Sequence, residues 1–170
     1  MKFVQNIMSM LPKLWFWLYG MLMLKVVKSH KGGLHIHGKT ILTRNTVLGH
    51  NTNFNGLEVV GRGEVSFGDN FHSGKGCMII TQNHNYEGNE IPYDNTYVIK
   101  DVAIGDNVWL GNRVIILGGV NIGEGAIIQA GAVVVNDIPS CAIAGGNPAK
   151  VFKFRDQEHY YQLKAQGKFH

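Results

Sequence analysis

Of the eight histidines in this 170-residue chain, His84 has the setting best suited to chemistry. It lies in the polar stretch Ile80-Thr81-Gln82-Asn83-His84-Asn85-Tyr86-Glu87-Gly88-Asn89-Glu90-Ile91-Pro92-Tyr93-Asp94. Imidazole titrates near neutrality and can take the proton of a weak nucleophile such as a hydroxyl, so it suits general-base work. A loop histidine taken alone is ordinarily a solvated surface residue. The case for His84 therefore depends on the elements around it. His35 and His37 flank Ile36, and His50 and His72 fall at turn or outward positions; all four are expected to be solvated. A zinc site would need three converging ligands, two of them close in sequence. His72 and His84 are twelve apart with no histidine five residues from either, and Cys77 and Cys141 form no CxxC pair, so no metal is expected.

The elements that position His84 are legible as an internal repeat. From Ile104 an aliphatic residue recurs every six positions, at Leu110, Ile116, Ile122, Ile128 and Val134. Four residues after each stands another apolar residue: Val108, Val114, Val120, Ala126, Ala132 and Ile138. Val98 with Val102 extends the series backwards. Ile36, Leu42, Leu48 and Phe54 follow the same frame, with Thr40, Thr46 and Thr52 four residues on. Val60 continues it, one extra residue intervenes, and Phe67, Ser73 and Ile79 resume it. A period of six fits neither an ordinary helix nor an alternating strand. It fits a coil with three flat faces, each a short strand with its aliphatic residue inward, joined by turns where Gly, Asn and Asp accept a positive φ. Fifteen such units make about five coils, an all-β fold. His84 falls where the frame breaks, between Ile79 and Val98, and breaks in a solenoid tend to be functional surface loops.

Composition agrees. Hydrophobic residues make up 45% and charged residues 16%, and 22 glycines stand against 4 prolines, so glycine is used at regular places and not as flexible linker. The net charge of +4 comes without a basic stripe interleaved with aromatics, which disfavours nucleic acid. The cysteine usage is compatible with a reducing, cytoplasmic setting.

The stretch from about Ile36 to Lys153 resembles the hexapeptide-repeat acyltransferases, in particular galactoside, maltose and cell-surface polysaccharide O-acetyltransferases. Those enzymes carry a similar Thr-x-x-His or Thr-x-His element before a loop, followed by an Ile-Gly-x-x-Val-Trp like Ile104-Gly105-Asp106-Asn107-Val108-Trp109. The resemblance implies a left-handed parallel β-helix, acetyl-CoA as cosubstrate, and a homotrimer with sites between neighbouring helices. It assigns His84 as catalytic base and places acceptor contacts at Asn55, Asn83 and Glu87. Asn55 follows Phe54 and stands 29 residues before His84, as a similar Phe-Asn does in the galactoside enzymes. On the CoA side it implies Trp109, Gly111, Asn112, Ala130 and Gly131. Lys150 and Lys153 match the two cations of a Gly-x-Pro-Ala-[Arg/Lys]-x-x-[Arg/Lys] ending. Two departures bear on that site: Val135-Asn136 replaces a frequent Thr-Lys, and Asn112 a frequent Ser. The implied activity is acetyl transfer to a hydroxyl of a sugar or cell-surface polysaccharide precursor. An antibiotic acceptor is the main competitor, and a γ-type carbonic anhydrase or a non-catalytic scaffold are the alternatives of other classes.

Three segments result: 1–30, helical; 31–154, the coil with its loop 80–97; and 155–170, a short helix expected to cap the open end of the coil. The run Leu14–Leu24 between Lys13 and Lys25 would be about 16 Å long as a helix, too short for a hydrocarbon core of about 30 Å. Its first expected role is packing on the body or a neighbouring subunit. Peripheral contact of residues 1–28 with the inner face of the cytoplasmic membrane is the second, because Trp15 and Trp17 lie about 200° apart and the apolar surface wraps nearly all round.

Overall fold

The computed structural model describes the backbone of residues 2–170 and side-chain surroundings from Leu14 onward. The hexad becomes a triangular coil of short parallel strands. The first face stacks Ser29–His30, Thr46–Leu48, Val65–Phe67, Val102–Ile104 and Asn121–Ile122, and an Ile122–Ile138 bridge extends it. The second stacks Leu34–Ile36, Thr52–Phe54, His72–Ser73, Trp109–Leu110, Ile127–Ile128 and Ala142–Gly145, with Lys150–Phe154 added antiparallel. Leu57–Val60, Cys77–Ile80, Ile115–Leu117 and Val133–Val134 form the third. The stack has about six levels, one more than the hexads count, because Ser29–His30 and Ala142–Gly145 pair at its two ends outside the strict frame.

Both residues of each hexad from Ile104 to Ile138 point inward and are buried, as are Ile36, Leu42, Leu48, Phe54 and the three threonines. Two of the threonine hydroxyls find the corner backbone: Thr40 Oγ1 donates to Gly38 O, and Thr46 Oγ1 accepts from Thr43 N–H, whereas the buried Thr52 hydroxyl has no partner among the described residues. Phe54, Phe67 and Phe71 pack ring against ring with centroids 4.7–5.3 Å apart, filling the coil where aliphatic residues are fewest. Two frame assignments need correction. Val60 is exposed, and Leu57 and Val59 point inward instead, because the turn after Phe54 is one residue short and the Gly61–Gly63 turn makes up the register. Val98 is also exposed: it belongs to an antiparallel ribbon, Gln82–His84 with Tyr97–Ile99, outside the coil.

The repeated Gly-Asp-Asn motif explains one corner. Phe67 is in register with Ile104, so the two copies stack directly. Asp69 N–H donates to Asp106 Oδ1 at 2.7 Å, and Asn51, Asn70 and Asn107, all near φ +55°, form a side-chain amide ladder. Gly68 must be glycine because a Cβ there would lie 2.5 Å from backbone carbon of Gly105.

Helix α1, Lys2–Val26, covers the N-terminal end of the coil. Gly20 and Val27 are buried against it, Met23 and Leu24 partly so, and Tyr19 Oη donates to Thr40 O at 2.6 Å. No described helix is long and apolar enough to cross a membrane.

Helix α2, Gln157–Ala165, is N-capped by Asp156, whose carboxylate accepts from His159 N–H. It does not cap the open end of the coil. It lies along the asparagine corner, where Asn107 Nδ2 donates to Tyr160 Oη and that hydroxyl donates to Glu124. Lys164 Nζ reaches the same Glu124 oxygen at 2.5 Å, and the tail extends to Asn51, which donates to His170 O. The ladder of amides, not the coil end, is what offers the helix hydrogen-bond partners. Burial pushes the Glu124 carboxyl up, but the Lys164 and Tyr160 hydrogen bonds outweigh it and hold the group below its usual range. A depressed carboxyl contributes stability above the ordinary carboxylate pKa and loses it as pH falls through the folded-state value. Acidification below about pH 4 is therefore expected to loosen α2 before the coil, read as rising amide exchange confined to residues 157–165.

Candidate active site

The loop that carries His84 is an arm rooted at the corner between the third and first faces. Its root is fixed by Thr81, whose buried hydroxyl donates to Val60 O and accepts from Gly63 N–H, and by Lys100 N–H donating to Thr81 O. On the ribbon His84 is opposite Tyr97, with Asn83 opposite Val98. The His84 ring stacks on Tyr93 at 3.8 Å and 18°, and lies 4.9 Å from Tyr97, so its plane is set by aromatic packing. Arg62 sits over the Tyr97 ring at 5.6 Å. Asp94 ties the tip together: Thr96 and Asn89 donate to it and hold its carboxyl below the usual range. Glu87 N–H donates to Asn85 Oδ1 at the tip. Asn83, His84 and Glu87 are all exposed.

The other expected residues gather on a different edge. Asn55, Gly111, Asn112, Ala130 and Gly131 all belong to the corner between the second and third faces, stacked level on level. Lys150 is paired with Gly145 at the upper end of this column, and Lys153 with Ile143 on the face beside it; both are exposed. Asn112 Oδ1 accepts from Lys75 N–H on the level below, so this Asn ties two coils together. Gly131, at φ +75°, faces open space. The column is therefore a smooth ridge of small residues with two free-standing ammonium groups near one end, a surface that fits an extended phosphate-bearing molecule.

Trp109 stands on the second face, 53% exposed, in register with His72 below and Ile127 above. With Asn53, His72, Arg155, Lys168 and His170 it lines a cleft of about 480 Å³. His72, expected to be solvated, is half-buried: Asn55 Nδ2 lies 3.0 Å from its Nε2 and 2.8 Å from Ser73 O. Burial, then the neighbouring His170 and His37, push the His72 pKa down, which favours the neutral ring; with Nε2 as its unprotonated nitrogen, that ring accepts from Asn55 Nδ2. Both Asn55 amide hydrogens are thereby used, and its Oδ1 accepts from no described residue. The sequence signal for His72 was available. Phe71-His72-Ser73 occupies the hexad position of Val108-Trp109-Leu110, which puts the two side chains in one outward column.

The structure thus divides the expected set in two. Asn83, His84 and Glu87 stand on the arm; Asn55, Trp109, Gly111, Asn112, Ala130, Gly131, Lys150 and Lys153 stand around another edge. Among the described residues no group of three or more His, Cys, Asp or Glu converges as metal ligands.

A six-fold inward repeat wound into three faces, broken once by a histidine-bearing arm, defines a hexapeptide-repeat protein. The chain belongs to the hexapeptide-repeat acetyltransferase family, and its coil is the family's left-handed parallel β-helix. The family model described as bacterial transferase hexapeptide (six repeats) matches residues 95–136. A maltose O-acetyltransferase structure from Clostridium difficile 630 is 30% identical over 77% of this chain and 70% of that one, with a TM-score of 0.66. A galactoside acetyltransferase solved in complex with coenzyme A is 27% identical, covering 82% and 71%, with a TM-score of 0.68. The galactoside O-acetyltransferase of Escherichia coli K12 is 32% identical over 71% of this chain and 60% of its own length. The chain spans 26–60% of the length of the first curated relatives it matches.

Proposed function

We propose that this protein transfers an acetyl group from acetyl-CoA to a hydroxyl of a sugar, a cell-surface polysaccharide precursor being the favoured acceptor, in sites formed between copies of a homotrimer. The observation that carries the reading is the division just described. The base and the ridge lie on different edges of one coil, and a neighbouring copy that brings its arm to that ridge completes the set. The sugar acceptors named for the galactoside and maltose relatives support the choice of nucleophile.

In this reading His84 accepts the hydroxyl proton while the hydroxyl oxygen bonds to the acetyl carbon. The thioester C–S bond breaks and the proton passes from His84 to the leaving sulfur. Tyr93 and Tyr97 hold the imidazole plane. Asn55 Oδ1 orients the acceptor through a second hydroxyl, and a backbone N–H on the ridge stabilises the oxygen that becomes negative. Lys150 and Lys153 supply charge to the phosphates of acetyl-CoA, as monodentate contacts. Trp109 covers the thioester-bearing arm.

The test is complementation. His84→Ala and Trp109→Ala are each expected to inactivate the protein. Co-expressed in equal amount and mixed at random in trimers, they should restore about a quarter of wild-type activity, because that share of inter-copy sites pairs an intact arm with an intact ridge. Thiol release from acetyl-CoA with a sugar panel measures it. No recovery above the separate variants would remove the shared site, and a single active protomer in light scattering would remove the trimer.

A further inference from the structure

Seven of the chain's Lys and Arg residues fall within its first 57 positions, and no Asp or Glu does; the first acidic residue is Glu58. The rest of the chain holds nine Lys and Arg against twelve Asp and Glu. The N-terminal helix and the first coil are thus uniformly cationic on an otherwise mildly acidic molecule. Lys28 and Lys31 are paired with Glu64 and Asp69 on higher levels. Lys25, Lys39 and Arg44 are exposed and make no ion pair with a described residue. Tyr19 binding to Thr40 O sets α1 directly beside Lys39.

The same end presents an apolar helix face. Gly20, Met23 and Val27 turn inward, and on the opposite side Leu14, Leu18, Met21 and Leu22 are each 47–58% exposed. Those four fall within an arc of about 100° around the helix, with Lys25 in the same arc. Trp15 and Trp17, 66% and 61% exposed, stand on the two shoulders of that arc. Packing against the coil accounts for the inner stripe of an all-round apolar helix and leaves the outer one without a partner among the described residues.

We infer that the outer face of α1 and the cationic first coil around it dock on an anionic lipid bilayer. A helix lying in a membrane interface buries a leucine-rich stripe below the headgroups, keeps tryptophan at headgroup depth on either side, and draws on basic residues at its rim. This end has all three. A second copy is a poorer occupant, since a two-fold contact would set one cationic end against another. The inference does not depend on acetyl transfer. Loss of the enzymatic reading would leave it standing, and its own failure would leave the enzymatic reading standing.

The experiment uses the full chain and vesicles of phosphatidylglycerol and phosphatidylcholine in equal parts, with phosphatidylcholine alone for comparison. Co-sedimentation should favour the anionic vesicles by at least about tenfold, and that preference should shrink as salt is raised. Leu18→Gln/Leu22→Gln and, separately, Lys25→Glu/Lys39→Glu should each lower the partition about tenfold or more, with circular dichroism and oligomeric mass unchanged. The second variant leaves the apolar face intact, so the two contributions are read independently. Failure of the wild-type chain to bind anionic vesicles would overturn the inference, as would full binding by both variants. A fall in oligomeric mass in Leu18→Gln/Leu22→Gln would also overturn it, by showing that the face joins copies of this chain.

Discussion

Replacing His84 with alanine is expected to lower turnover by about 10²–10⁴-fold, the usual consequence of removing a general base. The Michaelis constant for acetyl-CoA should hardly move, because the proposed role of the imidazole is to take the acceptor's proton, whereas the proposed CoA contacts come from the ridge residues and from Lys150 and Lys153. That split between kcat and KM is the informative part. A uniform loss of binding would mean that the arm shapes the cosubstrate site instead of taking the proton. A variant that kept more than about a tenth of wild-type turnover would remove His84 from this role.

The largest effect on stability is expected from Phe54→Ala. Phe54 is fully buried and touches Phe67 at 5.2 Å and Phe71 at 5.3 Å, both on the next level of the coil. Truncation removes a ring from a site whose neighbours are held by parallel backbone ladders and cannot collapse inward, so about 3–5 kcal/mol should be lost. For a chain of this size that lowers Tm by about 6–20 °C. Val135→Ala, on the exposed outer surface, should stay within about 0.5 kcal/mol and serves as the control in the same melt.

Much of the coil was legible in the sequence, for a physical reason. Each inward position on a narrow solenoid must be apolar or small, so Ile104 through Ile138 repeat without exception. The places that misled are those where backbone geometry, and not side-chain burial, decides. Val98 has the right chemistry and spacing for an inward residue, but the ribbon with Asn83 takes it out of the coil. Val60 lost its place to Val59 because a turn shortened by one residue leaves no mark on hydrophobicity. The half-buried setting of His72 leaves no mark in the sequence around it, because its contact with Asn55 joins two levels of the coil. The candidate site residues can be named from the sequence; their division between two edges cannot, since it depends on which corner the arm leaves.

The root of that arm has a consequence for how this chain can change. Thr81 O accepts from Lys100 N–H at 2.9 Å, so the backbone departs and returns at one point. Below and above it, Ile80 pairs with Val60 and Leu117 as though nothing were inserted. The coil tolerates residues 82–99 as a closed excursion with its ends already joined, and the entropy of closing such a loop rises only slowly with its length. Arms of other lengths and sequences can therefore be grafted at this junction with the ladders above and below it left intact. The scaffold and the arm are free to evolve at different rates.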